Sequence, residues 1–260
     1  MNRFNILLSM RRGRRIFLFI AVFVFTAGVL VALLRHSGLF VITSVPIEFL
    51  FQNGDKTTVP STVSERMKSE LTNRLQGLKG KALWKIELGE LRASLARNEW
   101  VKDLLISRRF PNELRVQVRP KAVALVLVDK QDKFYPVTEE GELLSSLPAG
   151  ELPDVPLLRG EIFKNDDERR KKAVKFALSL NEEGYLSLRN VSEITWSQEL
   201  GYTLVLLQPK VEVVIGEENI DLKVARVTQV LNYLSANNLK GRVIDASFSK
   251  KVLVRLRKEP

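Results

Sequence analysis

An uncharged and almost wholly apolar run, Ile16 to Leu34, constrains the fold of this chain more than any other feature. Thr26 is its single polar side chain. At about 1.5 Å per helical residue the run is about 28 Å long, close to the ~30 Å hydrocarbon core of a bilayer. Backbone amides in lipid must find partners within their own segment, so residues 16–34 are predicted to form one transmembrane helix.

The short tail before this run, residues 1–15, sets the expected orientation. It holds no acid, and its arginines are Arg3, Arg11, Arg12, Arg14 and Arg15. Basic residues beside the first span are retained in the cytoplasm, which predicts an inside N-terminus and an exported remainder. A cleaved signal peptide is the alternative. Its apolar region would be shorter, about 7 to 15 residues, and a small-residue cleavage pattern would follow, so an uncleaved anchor is favoured.

The net charge of +11 is unevenly distributed along the chain. Residues 1–38 carry +6, residues 39–120 carry +5, and residues 121–260 are neutral. A nucleic-acid-binding protein would be expected to concentrate its positive charge on one folded domain, so nucleic acid is not an expected partner. The chain has no cysteine and a single histidine, His36, so thiol chemistry, a transition-metal site and a histidine-based triad lack their parts.

After a juxtamembrane linker at 35–44, residues 45–120 are predicted to form a β-α-α-β-β module. Alternating apolar residues indicate a strand at 45–52. Apolar repeats indicate helices at 60–76 and 87–97. Two further strands, 101–109 and 114–119, are joined by a turn around Pro111 and are predicted to form a hairpin.

Residues 121–260 are predicted to form a second, mostly antiparallel β domain flanked by helices, which makes the exported part an α+β protein. The predicted helices span 166–184 and 220–237. The predicted strands are 122–128, two short ones within 134–144, 191–196, 203–207, 211–215, 242–248 and 252–257.

The order of these parts and several local strings resemble the FtsQ/DivIB family of bacterial cell-division proteins. The most specific string runs from Glu99 to Lys102 and continues at Arg108 to Val116, similar to the family signature "WV....V.R.fPn.L.i.v". Arg119-Pro120, followed by Ala122, resembles the family's "R.P.A". After Asp245, however, the aromatic is kept while the family's arginine and glycine are missing.

The resemblance implies a POTRA-type domain at 45–120 and a non-enzymatic scaffold that binds other bitopic division proteins, FtsB and FtsL, and helps control septal peptidoglycan synthesis. It implies no cofactor, no metal and no small-molecule substrate, with further divisome contacts at the POTRA-type module. The expected location is the cytoplasmic membrane at the division septum.

The final predicted strand is a candidate partner-binding site. The last strand of a sheet leaves backbone N–H and C=O groups unpaired, and an extended partner can add to them. The candidate residues around this edge are Phe248, Ser249, Lys250, Lys251, Val252, Leu253, Val254 and Arg255. Their basic side chains favour an acidic partner, or alternatively serve only to keep a strand end soluble.

Two other classes of function remain as alternatives, a POTRA-bearing transport component and an anchored envelope enzyme. Against transport stand a single module and the lack of barrel-type strands. Against an enzyme stands the context of the S-x-x-K string at Ser247 to Lys250, which lies in a predicted hairpin without companion motifs. Carboxylates such as Glu139 and Glu140 are adjacent in sequence rather than brought together across a cleft.

Overall fold

The computed structural model describes residues 19–33, 38–51 and 58–257. The predicted ends of the anchor, Ile16 and Leu34, lie outside these residues, as do the tail arginines Arg11, Arg12, Arg14 and Arg15. Residues 19–33 form an α-helix, α1, whose side chains are largely exposed. Across the described ranges, no helix is both long enough and apolar enough to cross a membrane.

The elements that follow run in the predicted β-α-α-β-β order. They are β1 (Ile47–Phe49), α2 (Ser61–Gln76), α3 (Leu88–Leu95), β2 (Val101–Arg109) and β3 (Glu113–Pro120). The three strands form one sheet in the order β1-β3-β2. The first strand is shorter than predicted, while the two helices and the hairpin lie close to their predicted positions.

Eight strands form the second sheet, with helices inserted between them. They are β4 (Val123–Val128), β5 (Phe134–Thr138), β6 (Leu157–Arg159), α4 (Ile162–Asn165), α5 (Asp167–Ser179), β7 (Val191–Ser197), β8 (Gly201–Leu206), β9 (Glu212–Gly216), α6 (Ile220–Ala236), β10 (Gly241–Asp245) and β11 (Leu253–Leu256). The strand order is β11-β10-β9-β8-β7-β6-β4-β5.

This sheet is mixed rather than clearly antiparallel. Four of its neighbouring pairs are antiparallel, and three are parallel: β10 with β9, β7 with β6, and β6 with β4. The prediction of a mostly antiparallel domain is therefore correct only by a narrow majority. Each parallel pair needs a crossover connection, and α6 supplies it between β9 and β10.

By their contacts the described residues group into two compact units. The first comprises residues up to Glu48 together with Glu70–Ala96 and Leu104–Val118. The second comprises Phe49–Ser69, Arg97–Asp103 and the residues from Arg119 onward.

Each unit has its own hydrophobic core. In the first unit one buried cluster consists of Ile42, Leu83, Ile86 and Leu114. Leu71, Leu95, Val116 and Val118 of the same unit are also fully buried. The larger core of the second unit lies between its sheet and helices, and it includes Leu127, Leu158, Phe163, Phe176, Leu204, Val213, Leu231 and Ile244.

The two edges of the eight-stranded sheet differ. The outer edge of β5 is covered by the chain itself, since Leu143 and Leu147 form bridges to Val137 and Phe134. The backbone amide of Leu147 donates to the carbonyl of Phe134 at 2.9 Å. At the opposite edge, β11 pairs with β10 alone among the described strands.

Asp129 anchors the turn that leads from β4 to β5. Its carboxylate accepts hydrogen bonds from the backbone amides of Gln131 at 2.9 Å and Lys133 at 3.0 Å, and from the Lys164 ammonium at 2.9 Å. Burial alone would raise the pKa of Asp129, but these donors outweigh it and lower the pKa to about 2.

The lowered pKa of Asp129 predicts a pH-dependent contribution to stability. A carboxylate whose pKa is lower in the folded protein stabilises it above the unfolded pKa, here about 3.9. That contribution is lost as the pH falls from about 4 toward 2. Asp129→Asn should therefore melt below wild type at pH 7, and the difference in Tm should shrink across this window. Melting curves of residues 39–260 measure it, and a constant difference from pH 7 to pH 2 would contradict the assignment.

Candidate functional site: the β11 edge

The open edge of the second sheet is built by the β10–β11 hairpin. The two strands pair antiparallel, with Asp245 opposite Leu253, Ile244 opposite Val254 and Val243 opposite Arg255. The register shifts between Gly241 and Val243, which marks a bulge on β10 and leaves β11 itself regular.

The direction of the β11 amides follows from one hydrogen bond just after the strand. The amide of Arg257 donates to the carbonyl of Lys240 at 2.8 Å, so it points toward β10. Alternate N–H groups of a strand point to the same side. The amide of Arg255 therefore also points toward β10, whereas those of Val254 and Leu256 point to the open edge.

The side chains of β11 divide between two faces. Val252, Val254 and Leu256 line a groove of about 490 Å³ together with α6. The α6 side and the turn after it contribute Arg226, Gln229, Val230, Tyr233, Leu234 and Leu239. Leu253 and Arg255 lie on the opposite face, because successive side chains of a strand alternate.

The groove presents apolar surface to solvent. Tyr233 is 63% exposed and Leu256 is 50% exposed, and Leu239 on the opposite wall is also exposed. Together with the open strand beside it, this groove is a candidate binding surface.

The loop between β10 and β11 is held in place at both ends. The carboxylate of Asp245 accepts from the Ser247 amide at 3.0 Å and from its hydroxyl at 2.6 Å. The guanidinium of Arg226 on α6 donates to the carbonyl of Ser249 at 2.7 Å. Phe248 is 41% exposed in this loop, and the Lys251 ammonium lies 5.2 Å from the centre of its ring.

The charge around the edge is positive. Lys250, Lys251 and Arg255 are exposed. Within the described part of the chain, none of the three forms an ion pair with a carboxylate. An exposed basic rim beside an apolar groove is complementary to a partner that carries acidic residues near an apolar segment.

The structure thus brings the sequence-predicted residues together as one continuous hairpin. Val252 and Val254 enter the groove, Leu253 and Arg255 occupy the other face, and the loop from Phe248 to Lys251 is exposed at the end of the hairpin. The groove wall formed by α6, and Tyr233 in particular, was not predicted. The one sequence feature that could have indicated this wall is Tyr233 itself, an aromatic side chain away from the core-facing side of α6.

Hydroxyl and carboxylate side chains of the second unit that could in principle take part in catalysis have structural roles instead. The Ser247 hydroxyl donates to Asp245, and the Asp166 carboxylate caps α5 by accepting from the amide of Arg169. Glu217 accepts hydrogen bonds from Arg169 and from the indole of Trp196. No group of three or more histidine, cysteine or acidic side chains that could hold a metal is found among the described residues.

Comparison with known proteins gives two matches that together cover most of residues 39–260. A family model described as "Cell division protein FtsQ/DivIB, C-terminal" matches residues 126–247, and one described as "POTRA domain, FtsQ-type" matches residues 68–119. The chain belongs to the FtsQ/DivIB family. This membership confirms the resemblance found in the sequence and gives the chain a role in cell division.

Named relatives agree with this assignment. The chain is 29% identical to "Cell division protein FtsQ" of Geobacter sp. (strain M21) over 74% of its own length and 72% of that protein. It is 26% identical to the FtsQ of Myxococcus fulvus over 64% of its length and 60% of that protein. "Cell division protein DivIB" of Solibacillus silvestris is 28% identical over 39% of this chain and 34% of its own.

The candidate edge lies partly beyond the FtsQ/DivIB match. The C-terminal family model ends at residue 247, before Phe248 and the whole of β11. Family membership therefore supports the domain that carries the edge, while the argument for the edge itself comes from its geometry.

Proposed function

We propose that this chain is a membrane-anchored, non-enzymatic scaffold of the division machinery that binds bitopic partners of the FtsB and FtsL type. In this proposal an extended partner segment pairs with the open edge of β11 and thereby helps control septal peptidoglycan synthesis. The observation that carries it is the outer side of β11, which no other described strand pairs with, beside an apolar groove in a protein of a cell-division family.

The geometry specifies the partner segment. A strand added to β11 would share its faces, so every second partner side chain would lie over the groove lined by Val254 and Leu256. Those side chains should be apolar. The intervening ones would lie beside Arg255, and acidic residues there would complement the exposed cations.

The membrane anchor is part of this proposal. It is supported by the apolar run at 16–34 and by the arginines before it, which favour a cytoplasmic N-terminus. A scaffold anchored in this way would hold β11 on the extracytoplasmic side, where septal peptidoglycan synthesis takes place.

Localisation tests the proposed function. A fluorescent protein fused to the cytoplasmic tail of the full chain should concentrate at midcell in dividing cells. A Val254→Pro variant should keep membrane signal but lose part of its midcell enrichment, if partner binding contributes to recruitment. A wild-type fusion with uniform signal around the cell periphery would contradict a division scaffold and favour transport or another envelope role.

Orientation is tested separately. Alkaline phosphatase is active only outside the cytoplasm, so a fusion after Pro260 should be active and a fusion after Arg15 inactive. N-terminal sequencing of the membrane-bound protein should find the chain uncleaved. An inactive fusion at Pro260, or a mature chain that begins near Ser37, would exclude the anchored orientation.

A further inference from the structure

Three aromatic rings of the first unit lie side by side at its surface, close in sequence to the proposed anchor. The rings of Phe40 and Trp84 are 5.6 Å apart and those of Phe40 and Phe110 are 6.1 Å apart, both edge to face. Phe110 is 69% exposed and Leu39, beside Phe40, is 54% exposed. We call Leu39, Phe40, Trp84 and Phe110 the aromatic patch.

The patch is rigidly built. The amide of Leu83 donates to the carbonyl of Phe40 at 2.8 Å, which ties the two segments together. The guanidinium of Arg108 donates to the carbonyls of Leu83 at 3.0 Å and Ile86 at 2.6 Å. These bonds fix the turn that carries Trp84 against the end of β2, from which Phe110 projects.

Chain length limits how far the patch can lie from the bilayer. Leu39 follows Leu34, the last residue of the proposed anchor, by five residues. A fully extended chain spans at most about 3.6 Å per residue, which gives about 18 Å. A bilayer of ~30 Å core has headgroup regions that extend it to ~40–45 Å, so the patch is tethered within reach of this layer.

The chemistry of the patch fits a lipid interface. Tryptophan and other amphipathic rings are enriched where hydrocarbon meets headgroups, and exposed cations favour anionic lipid. Lys85 follows Trp84 and Arg109 precedes Phe110, and both are exposed. Neither forms an ion pair with a carboxylate within the described residues.

We infer that the aromatic patch inserts into the headgroup region of the membrane in which the chain is anchored. Rings and cations then dock the first unit on the bilayer surface instead of leaving it suspended on a linker. This inference rests on the proposed anchor. The docked state would fix the height and tilt of the first unit above the membrane.

The absence of cysteine allows a direct test, because any introduced thiol is unique. The full chain is reconstituted in vesicles of phosphatidylethanolamine and phosphatidylglycerol, with a nitroxide on Phe110→Cys or on Leu39→Cys. The control is Leu105→Cys, since Leu105 is 60% exposed on the same strand and lies about 17 Å from Phe110 at ~3.4 Å per residue. A label on Val24→Cys reports the anchor.

The expected result is that labels at 110 and 39 lose most of their accessibility to a water-soluble nickel chelate and gain accessibility to oxygen, while the label at 105 stays in water. Equal accessibility at 110, 39 and 105 would overturn the docking. The label at Val24 distinguishes a failure of the docking from a failure of the proposed anchor. If it is in lipid while the patch labels are in water, docking alone fails, and if it too is in water, the anchor fails and the inference with it.

Discussion

Replacing Val254 by proline is expected to weaken partner binding by about tenfold or more while the protein remains folded. Proline lacks the amide hydrogen, and the Val254 amide points to the open edge rather than to β10. The substitution would leave a partner carbonyl without its donor, at a cost of about 1–3 kcal/mol, and its ring would obstruct close pairing. Co-purification of the FtsB-type partner from solubilised membranes measures the loss.

Two matched variants control for side chain and fold. Val254→Ala keeps the amide and removes only part of the groove contact, so it should bind more tightly than Val254→Pro. Arg255→Pro removes an amide that points toward β10, so it should lower the melting temperature through loss of a ladder bond. If folded Val254→Pro binds as well as Val254→Ala, backbone pairing along β11 is excluded.

The second large effect is expected in the core of the first unit. Leu95→Ala should destabilise it by about 2–5 kcal/mol, because Leu95 is fully buried and the truncation leaves a cavity. Leu91→Ala on the same helix is the matched control. Leu91 is only partly buried against the neighbouring cluster, so it should cost clearly less. Denaturant unfolding of both variants provides the comparison.

The Leu91 comparison also tests the orientation of α3. The helical spacing of Leu88, Leu91 and Leu95 alone predicts one inward face for all three, whereas the structure buries only Leu95 completely. Equal losses for Leu91→Ala and Leu95→Ala would show that α3 buries both leucines to the same depth and would contradict this orientation.

Elements with a strong local signal were predictable from sequence. The hairpin of β2 and β3 has alternating apolar residues and a turn at Pro111, and its observed bounds differ from the predicted ones by at most a residue. Such patterns report which residues of a strand face the core. They do not report which strand is its neighbour, so the parallel pairing of β9 with β10 was not foreseen.

A short strand with no local sequence pattern was not predicted. Strand β6 is three residues long, Leu157–Arg159, and directly follows Pro156, so neither length nor alternation marked it. It nevertheless lies between β4 and β7, both parallel to it. Its strand conformation comes from two neighbours distant in sequence rather than from local preference.

The face of α6 was only partly predicted. Val227, Leu231 and Leu234 are buried as expected, but Leu222 is 51% exposed and Lys223 is buried. The reason lies in the tertiary structure. Gly216 at the end of β9 has no side chain, and a Cβ there would lie 3.0 Å from the Lys223 ammonium, so the buried lysine packs directly against this glycine. No periodicity within α6 could reveal this.

Trp196 is a similar case. Apolar residues surround Trp196 in sequence, a pattern that alone predicts core packing, yet the structure leaves it partly exposed. The guanidinium of Arg169 lies 3.6 Å from the centre of its ring, and its indole donates to Glu217. These partners come from α5 and from the segment directly after β9, so a pattern within β7 could not distinguish this arrangement from ordinary packing.

Among the described residues, the unequal edges of the eight-stranded sheet leave this sheet one edge, β11, at which a further strand could pair. With the β5 side covered by Leu143 and Leu147, pairing at β11 can add one strand and then stops. A second copy that used its own β11 would give a closed two-fold pair and never a growing fibre. Self-association and partner capture at this sheet would then compete for the same row of amides.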